Sequence, residues 1–433
     1  MPVKDREVVI TGMGLVTPLG LGVEENWEGV KALRTGIEYF PQDGVPRFLQ
    51  HMGKVKGVEA EKDIPQKQLG QMKFLNRGSL LGFAAAREAV SLSGMNLEDV
   101  PPGRRALYIA SGDTTRVGYD FMYPAVKDGT RGRWQEMDPQ AFNQSTVDKV
   151  NPFFLLESIN NNLFSFLSAF YELMGSNTTL ASHSPYGGNA LELTSRTIAQ
   201  GKADIGLAVG CGNWITEIPL YELDGLGILS RCKDGIHSYR PFDRRRDGFI
   251  PGEGGAALFL EASEIAERRG AQVWGKVKGF GNCIEFSNDQ SLTVPSHVSA
   301  RCMTLAMEDA GCDLADLGFI SPHGSGSQKG DRSELHSIRK ILGSKSRGIP
   351  ISGMKAYTGH LGAASDLAQI IFSLKAVADQ MVPATLNFQE PDREFDDLQI
   401  AGTHKGCTRT IFLSVSYGIG GQSSSAIIEG VQS

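Results

Sequence analysis

The chain has 433 residues, of which 41% are hydrophobic and 21% are charged, so it can bury a large core and has the length of two or three domains. Its formal net charge of −6 gives no reason to expect nucleic acid as a partner. The first residues are charged, which argues against a secretory signal. The sequence has no uninterrupted apolar run of about 18 residues, so no membrane span is predicted. The six cysteines form no CxxC pair and no metal-ligand spacing, which favours a reducing cytoplasm and predicts no metal site.

Short β-rich runs alternate with amphipathic helical patterns along the whole chain. This alternation is typical of an α/β protein with mostly parallel sheets. The predicted strands cover residues 8–11, 106–110, 205–209, 256–260, 273–277, 319–321, 411–415 and 426–429. Apolar residues at helical spacing predict helices over residues 190–198 and 363–378.

Three kinds of segment occur in the same order in both halves of the sequence, which predicts a duplicated fold. In each half a strand runs into glycine, a small-residue turn later enters a helix, and paired glycines precede a closing strand. These three parts begin near residues 12, 184 and 254 in the first half, and near residues 279, 360 and 420 in the second. The predicted hinge is the charged helical segment 262–270, which gives an N-terminal half over residues 1–262 and a C-terminal half over residues 263–433.

Five segments, taken in chain order, carry a resemblance to a known family. They are VVITGMGLVTPLG at 8–20, RPFDRRRDGFIPGEGG at 240–255, the segment around His323 that continues to Glu334, KAYTGH at 355–360, and YGIGG at 417–421. Together they resemble the elongating β-ketoacyl-acyl-carrier-protein synthases over nearly the whole chain. The resemblance implies a thiolase-like α/β fold, duplicated and layered α-β-α-β-α. It also implies acyl transfer and decarboxylative Claisen-type chemistry on acyl-carrier-protein thioesters, in fatty-acid or polyketide assembly.

The same resemblance assigns the candidate site residues. Catalytic positions fall on Ser184, His323, His360, Lys355 and Glu334. Substrate-binding positions fall on Ile419, Tyr417, Gly418, Tyr186 and Thr358. His183 is expected only to neighbour the pocket.

Three positions depart from the family's pattern. Ser184 stands where the family has its nucleophilic cysteine, and no cysteine occurs before Cys211. Ile419 stands where the gating loop has phenylalanine, and the segment after His360 is one residue shorter. A smaller gate residue predicts a pocket open to a bulkier acyl group, unless neighbouring tyrosines fill the gap.

The change to serine affects only one half of the expected chemistry. A cysteine at a helix N-terminus forms a thiolate readily because the helix dipole stabilises the anion, whereas a serine hydroxyl without a paired base stays protonated. The resemblance implies that His323 and His360 still supply two hydrogen-bond donors for a developing enolate oxygen. Lys355 and Glu334 are expected to fix the charge and the tautomer of these imidazoles. We therefore expect the decarboxylating machinery to be retained and the acyl acceptor to be altered.

Three interpretations remain open. The protein is a condensing-enzyme variant, in which Ser184 serves acyl transfer or is bypassed in favour of malonyl decarboxylation. Alternatively it is a non-catalytic, chain-length-factor-like partner subunit of a cysteine-bearing ketosynthase. In the third interpretation Ser184 is an engineered substitution of a native cysteine, although the several departures around it favour natural divergence.

The resemblance also implies partners. The acyl-carrier protein brings the phosphopantetheine arm itself, so no other cofactor is expected. Because that carrier is acidic, we expect basic residues at the mouth of the site. The candidates are Lys67, Lys73, Arg131, Arg133 and Arg231. A homodimer, or a heterodimer with a homologous ketosynthase, is expected through the edge of the core sheet, where the apolar stretch 152–174 is a surface that needs covering.

Overall fold

The computed structural model describes residues 6–59, 64–112, 119–152, 161–181, 186–285, 294–343 and 348–432, and only the backbone at positions 119, 120 and 218. The strands in these ranges are β1 Val8–Thr17, β2 Gly20–Leu21, β3 Ile37–Tyr39, β4 His51–Gly53, β5 Arg105–Ser111, β6 Asn177–Ala181, β7 Ile205–Asn213, β8 Glu253–Ala262, β9 Gly275–Ile284, β10 Leu317–Ser321, β11 Met381–Val382, β12 Lys405–Gly406, β13 Ile411–Tyr417 and β14 Gln422–Gly430. The predicted strands are confirmed as β1, β5, β7, β8, β9, β10, β13 and β14.

The α-helices of the described residues connect these strands. They are α1 Val23–Lys31, α2 Gln66–Met72, α3 Arg77–Ser93, α4 Tyr119–Gly129, α5 Pro139–Lys149, α6 Asn162–Tyr171, α7 Tyr186–Ala199, α8 Glu217–Gly225, α9 Ser263–Arg269, α10 Ala300–Ala310, α11 Gln328–Leu342 and α12 Ala364–Ala378. Both predicted helices are confirmed, as α7 and α12. Within the described ranges, no helix combines the length and the apolar character that crossing a membrane requires.

A ten-stranded sheet organises the fold, in the order β10-β13-β14-β9-β1-β8-β7-β5-β6 with β2 beside β1. Its two halves meet at a short antiparallel contact between β1 and β9, where Val9 lies opposite Lys276 and Ile10 opposite Gly275. Longer antiparallel ladders join β1 to β8 and β14 to β9 on either side of that contact.

The expectation of mostly parallel strands holds at the flanks of this sheet and is wrong for its centre. Parallel pairs join β10 to β13, β5 to β7 and β5 to β6, whereas the described strands between them pair antiparallel. The connection from β13 to β14 gives one reason, because only residues 418–421 separate the two strands. A parallel pair needs a crossover of about a dozen residues or more, so this short link forces an antiparallel pair.

Helices cover both outer faces and fill the space between the two halves of the sheet. Helix α3 packs on β1, β8 and β7, while α10 packs on β9 and β14. Helices α7 and α12 contact each other and strands of both halves. All 15 residues of α12 are buried, as a helix between two β-layers requires. The predicted α-β-α-β-α layering is confirmed, whereas the domain boundary at residue 262 stays a prediction.

The glycines after the first predicted strand serve packing. A Cβ on Gly12 or Gly14 would collide with the backbone carbonyl oxygens of Ala89 or Ala85 on α3. Glycine therefore lets α3 lie directly against β1. This close packing sets the position of the N-terminal half of the sheet relative to its outer helix.

Candidate active site

Two buried histidines from different parts of the C-terminal half meet at one end of the sheet. His323 follows β10 and His360 precedes α12, and each of the two residues is only 3% exposed. Their Nε2 atoms lie 3.4 Å apart. The backbone of His360 is fixed on both sides, because its N–H donates to the Ile250 carbonyl and its own carbonyl accepts from the Gly252 N–H.

Backbone amides indicate which ring nitrogens carry the protons. The Gly362 N–H donates to Nδ1 of His360 at 3.2 Å, and the Tyr417 N–H points to Nδ1 of His323 at 3.5 Å. A neutral imidazole that accepts at Nδ1 carries its proton on Nε2. Both Nε2–H groups therefore face the same small space, where neither can accept from the other. An oxygen atom placed there would receive both hydrogen bonds.

Electrostatics keep both rings neutral. Burial lowers the pKa of His323 well below its usual range, and the positive charges of Lys355 and of a protonated His360 would lower it further. Burial, and then Lys355, lower the pKa of His360 in the same direction. Near neutral pH the pair consists of two uncharged hydrogen-bond donors, which is the form suited to an oxygen that gains negative charge.

Lys355 and Glu334 hold the backbone of His323 and do not contact its ring. The Lys355 Nζ donates to the His323 carbonyl at 2.6 Å, and the Glu334 carboxylate accepts from the N–H groups of His323 at 2.7 Å and Gly324 at 2.9 Å. Burial lowers the pKa of Lys355 to about 8 and raises the pKa of Glu334 to about 8. The expectation that these two residues fix the tautomer is therefore wrong, because backbone amides contact both Nδ1 atoms.

Aromatic rings line the space beside the histidine pair. Trp214 stacks on His360 with ring centroids 4.6 Å apart and ring planes within 7° of parallel. Tyr417 packs against His323 at 4.2 Å between centroids, and Phe249 packs against His360 at 4.9 Å. The cavity at this point has a volume of only about 50 Å³. These walls limit what reaches the two Nε2–H groups to a small portion of a ligand.

A second cavity of about 620 Å³ adjoins the first. The two share four lining residues, which are Ile228, Val294, Ser327 and Ile419. Ile419 therefore lies between the narrow space at the histidines and the wider approach to it. Tyr417 and Gly418 line the narrow cavity, so the structure brings three of the predicted substrate-binding residues to the site.

The other predicted site residues lie elsewhere or are not described. Tyr186 begins α7 and packs against the large core, and Thr358 is buried with its hydroxyl donating to the Gly359 carbonyl. Neither belongs to the described lining of the histidine cavity. Ser184 and its neighbour His183 lie outside the described residues. The catalytic and substrate-binding roles assigned above stay predictions.

Sequence reasoning missed four residues at or near this site. They are Trp214, Phe249, Asp366 and Gln369. Phe249 stands inside the segment 240–255 and could have been noticed there. Gln369 accepts from Lys355 Nζ at 3.2 Å and donates to carbonyls of both β10 and β13, but its place in an apolar helix gave no signal of this role.

Three of the basic residues predicted at the mouth do not share one cavity. Arg231 lies three residues beyond the segment 225–228 that lines the larger cavity, and it pairs with Asp224 at 2.8 Å. Arg131 and Arg133 line a different cavity, where Arg131 pairs with Asp138 at 3.1 Å. Arg231 is therefore the candidate that the structure connects to the approach.

Comparisons with known proteins match most of the chain. The family model described as beta-ketoacyl synthase, N-terminal domain, matches residues 5–266, and the C-terminal domain model matches residues 275–389. A Streptomyces cyaneus protein named "Putative polyketide beta-ketoacyl synthase 1" is 30% identical over 98% of both chains. The 3-oxoacyl-acyl-carrier-protein synthase 2 of Vibrio cholerae is 29% identical over 98% of this chain and 99% of its own.

A solved structure shows the same fold over the full length. It holds a type II polyketide acyl-carrier protein in complex with its ketosynthase bound to a hexaketide. The matching chain is 25% identical with a TM-score of 0.83, over 99% of this chain and 100% of that one. Since the family models cover most of the sequence in the expected order, the chain belongs to the beta-ketoacyl synthase family.

Proposed function

We propose that the protein decarboxylates a malonyl group on acyl-carrier protein and uses the resulting carbanion in Claisen-type condensation. The observation that carries the proposal is the pair of neutral imidazoles, whose Nε2–H groups are 3.4 Å apart and share one position for an acceptor. A thioester oxygen in that position gains negative charge when the malonyl carboxylate leaves. Donors that are already oriented stabilise that charge without reorganisation.

The proposed step conserves atoms and electrons. The bond between the malonyl C2 and its carboxylate carbon breaks, CO₂ leaves, and the electron pair forms an enolate whose oxygen accepts from His323 and His360. C2 then attacks an acyl carbonyl carbon, and the group that carried the acyl chain departs with the electron pair of its bond. When no acyl group is present, C2 takes a proton instead, and acetyl-carrier protein is the product.

We propose that Ser184 occupies the acyl-acceptor position. Serine is a weak nucleophile unless a base accepts its proton, so acyl loading is expected to be slow compared with decarboxylation. The serine itself favours a second candidate, a non-catalytic partner subunit of a cysteine-bearing ketosynthase. The intact histidine pair favours an enzyme, since a silent subunit has no need of two neutral donors that face one acceptor position. Release of CO₂ by the isolated protein distinguishes the two.

The approach through the larger cavity supports acyl-carrier protein as the partner. A phosphopantetheine arm is long and thin, and a cavity of about 620 Å³ that narrows at Ile419 suits such a group. One solved relative is in complex with an acyl-carrier protein. We propose that this chain binds its carrier with Arg231 at the mouth, and that it assembles as a homodimer or with a homologous ketosynthase.

Replacing Arg231 by alanine is expected to weaken carrier binding. An exposed charge at the rim of an interface contributes about 0.5–1 kcal/mol, so the dissociation constant should rise about two- to five-fold at low salt. Titration calorimetry at two salt concentrations measures this, and the difference should shrink at high salt. Arg131→Ala is the matched control, because Arg131 also pairs with an aspartate but lines a different cavity. Equal weakening by both variants would contradict this docking site.

Enlarging the gate residue is expected to narrow acyl acceptance. Ile419→Phe adds bulk where the two cavities meet, so transfer of long acyl groups should fall by about 10-fold relative to short ones. Initial rates with carriers that bear acyl groups of graded length measure the ratio. Leu226→Phe is the control, because Leu226 lines only the larger cavity. If Ile419→Phe handles all chain lengths as the parent does, Ile419 is not the gate.

A further inference from the structure

Two cysteines outside the histidine site lie against each other where α10 packs on β9. Cys283 is the last residue but one of β9, and Cys302 is the third residue of α10. Both are free thiols. The thiol and the backbone N–H of Cys302 both interact with the Cys283 sulfur. Only a two-electron oxidation separates such a pair from a disulfide.

The alternation of side chains along β9 explains why these thiols meet, since every second residue of a strand faces the same side. A Cβ on Gly279 would collide with the backbone nitrogen of Ala310, and a Cβ on Gly281 would collide with the carbonyl oxygen of Cys302. Both glycines therefore face α10 and let its backbone approach the sheet closely. Cys283 is two positions beyond Gly281, so its side chain points to the same helix, at its first turn.

Polar contacts from β14 hold this first turn in place. Ser423 lies opposite Cys283 in the antiparallel pair, and Ser425 lies two positions further on the same face. The Ser425 hydroxyl oxygen is 2.9 Å from Cys302 Sγ, and the Ser299 hydroxyl donates to that of Ser423 at 3.1 Å. The position of Cys302 over the end of β9 is therefore fixed by contacts with two strands.

The two thiols differ in exposure and acidity. Cys283 is partly exposed, whereas Cys302 is fully buried. The neighbouring Cys302 thiol lowers the pKa of Cys283 below its ordinary value, while burial raises the pKa of Cys302 well above it. A thiolate is the form of cysteine that attacks an oxidant. Cys283 is therefore the thiol that a small oxidant reaches first, and Cys302 is the partner behind it.

The end of β9 is also tied to the segment 418–421, which contains the predicted gate. The Glu285 N–H donates to the Gly421 carbonyl at 2.9 Å, and a Cβ on Gly421 would collide with the Glu285 carbonyl oxygen. The Glu285 carboxylate accepts from the N–H groups of Ser299 at 2.5 Å and Arg301 at 3.2 Å, at the start of α10. A covalent bond from β9 to α10 would therefore restrain the support of this segment.

We propose that Cys283 and Cys302 form a reversible disulfide on reaction with hydrogen peroxide, and that this bond restrains the segment 418–421. The Cys283 sulfur attacks one peroxide oxygen, the O–O bond breaks, and one water leaves a sulfenic acid behind. The Cys302 sulfur then attacks the Cys283 sulfur, the S–O bond breaks, and a second water carries away the Cys302 proton. Two thiols are oxidised by two electrons, and peroxide is reduced to two waters.

This site goes beyond the proposed function and does not depend on it. In a reducing compartment a disulfide is transient and is typical of redox sensing. The pair would thus report the presence of peroxide at the approach to the histidine cavity, because Ile419 in the restrained segment lines both cavities.

Peroxide treatment of the native protein, followed by mass spectrometry of unreduced peptides, tests the linkage. We expect a peptide pair joined through Cys283 and Cys302, which dithiothreitol separates. In Cys302→Ser, oxidation of Cys283 should stop at the sulfenic acid, which dimedone traps. Cys312→Ser is the matched control, because Cys312 is also partly exposed but burial raises its pKa to about 11. Its loss should leave the linkage unchanged.

Hydrogen exchange tests the effect on the segment 418–421. Amide exchange in a peptide that covers this segment should slow about ten-fold in the oxidised protein, because the bond suppresses local opening. In Cys283→Ser, peroxide should leave the exchange as it was. Linkage that forms only after unfolding in urea, or no linkage at all, would overturn the disulfide. Equal exchange before and after oxidation would overturn the restraint. Neither measurement needs carrier protein or turnover, so failure here is distinct from failure of the proposed condensation.

Discussion

Purified protein is expected to release CO₂ from malonyl-carrier protein, and His323→Ala or His360→Ala is expected to lower that rate about 10²–10³-fold. Each substitution removes one of two Nε2–H donors that face a shared acceptor position. Because burial keeps both rings neutral, loss of either ring leaves the shared acceptor position with a single donor from the pair. The rate is measured by trapping labelled CO₂ during single turnover.

A control histidine separates this effect from general destabilisation. His336 is a half-buried residue on α11 that pairs with Glu394 at 3.0 Å and does not line the cavity. His336→Ala should keep the CO₂ release of the parent. Absence of CO₂ release from well-folded parent protein, with activity appearing only beside a cysteine-bearing homologue, would support the partner subunit in place of the enzyme.

Removing the buried cation is expected to have the largest effect on stability. Lys355→Met leaves Glu334 and Asp366 as buried acids without their positive neighbour, and it removes a 2.6 Å hydrogen bond from the His323 carbonyl. Leaving buried acids without a nearby cation, and a buried carbonyl without its donor, costs about 3–5 kcal/mol of unfolding free energy. Urea unfolding followed by fluorescence measures the loss as a lower midpoint at unchanged slope.

Two further variants show whether the loss of stability comes from the buried cluster. Lys56→Met removes an exposed lysine whose partner Glu38 is also exposed, and the unfolding midpoint of this variant should stay close to that of the parent. Glu334→Gln removes an acid from the same cluster and keeps the side chain's shape, so it should also destabilise the protein. If Lys355→Met unfolds at the same urea concentration as Lys56→Met, the buried cluster does not stabilise His323 as its contacts indicate.

The sequence by itself determined the class of fold and identified five residues that line one cavity. Strand-like and helix-like periodicities are local properties, and burial on one or both faces of an element imposes them directly. The eight predicted strands and two predicted helices are therefore present in the described residues. The short motifs occur in the same order as in the family, so the resemblance identified His323, His360 and the segment 417–419. The fold brings these residues together around one cavity.

Only the tertiary structure decided how strands pair and how charges are balanced. Strand direction depends mostly on partners far apart in the chain. The short link 418–421 indicates the antiparallel β13–β14 pair, whereas the β1–β8 and β9–β14 pairs left no mark in any single segment. The position of the proton on the His323 ring is indicated by the N–H of Tyr417, which is 94 residues away in the sequence. The acid that accepts from Gly188 at the start of α7 is Asp366, which is 178 residues away. Such contacts arise from packing in three dimensions, where a buried polar group must find whichever partner the fold brings to it.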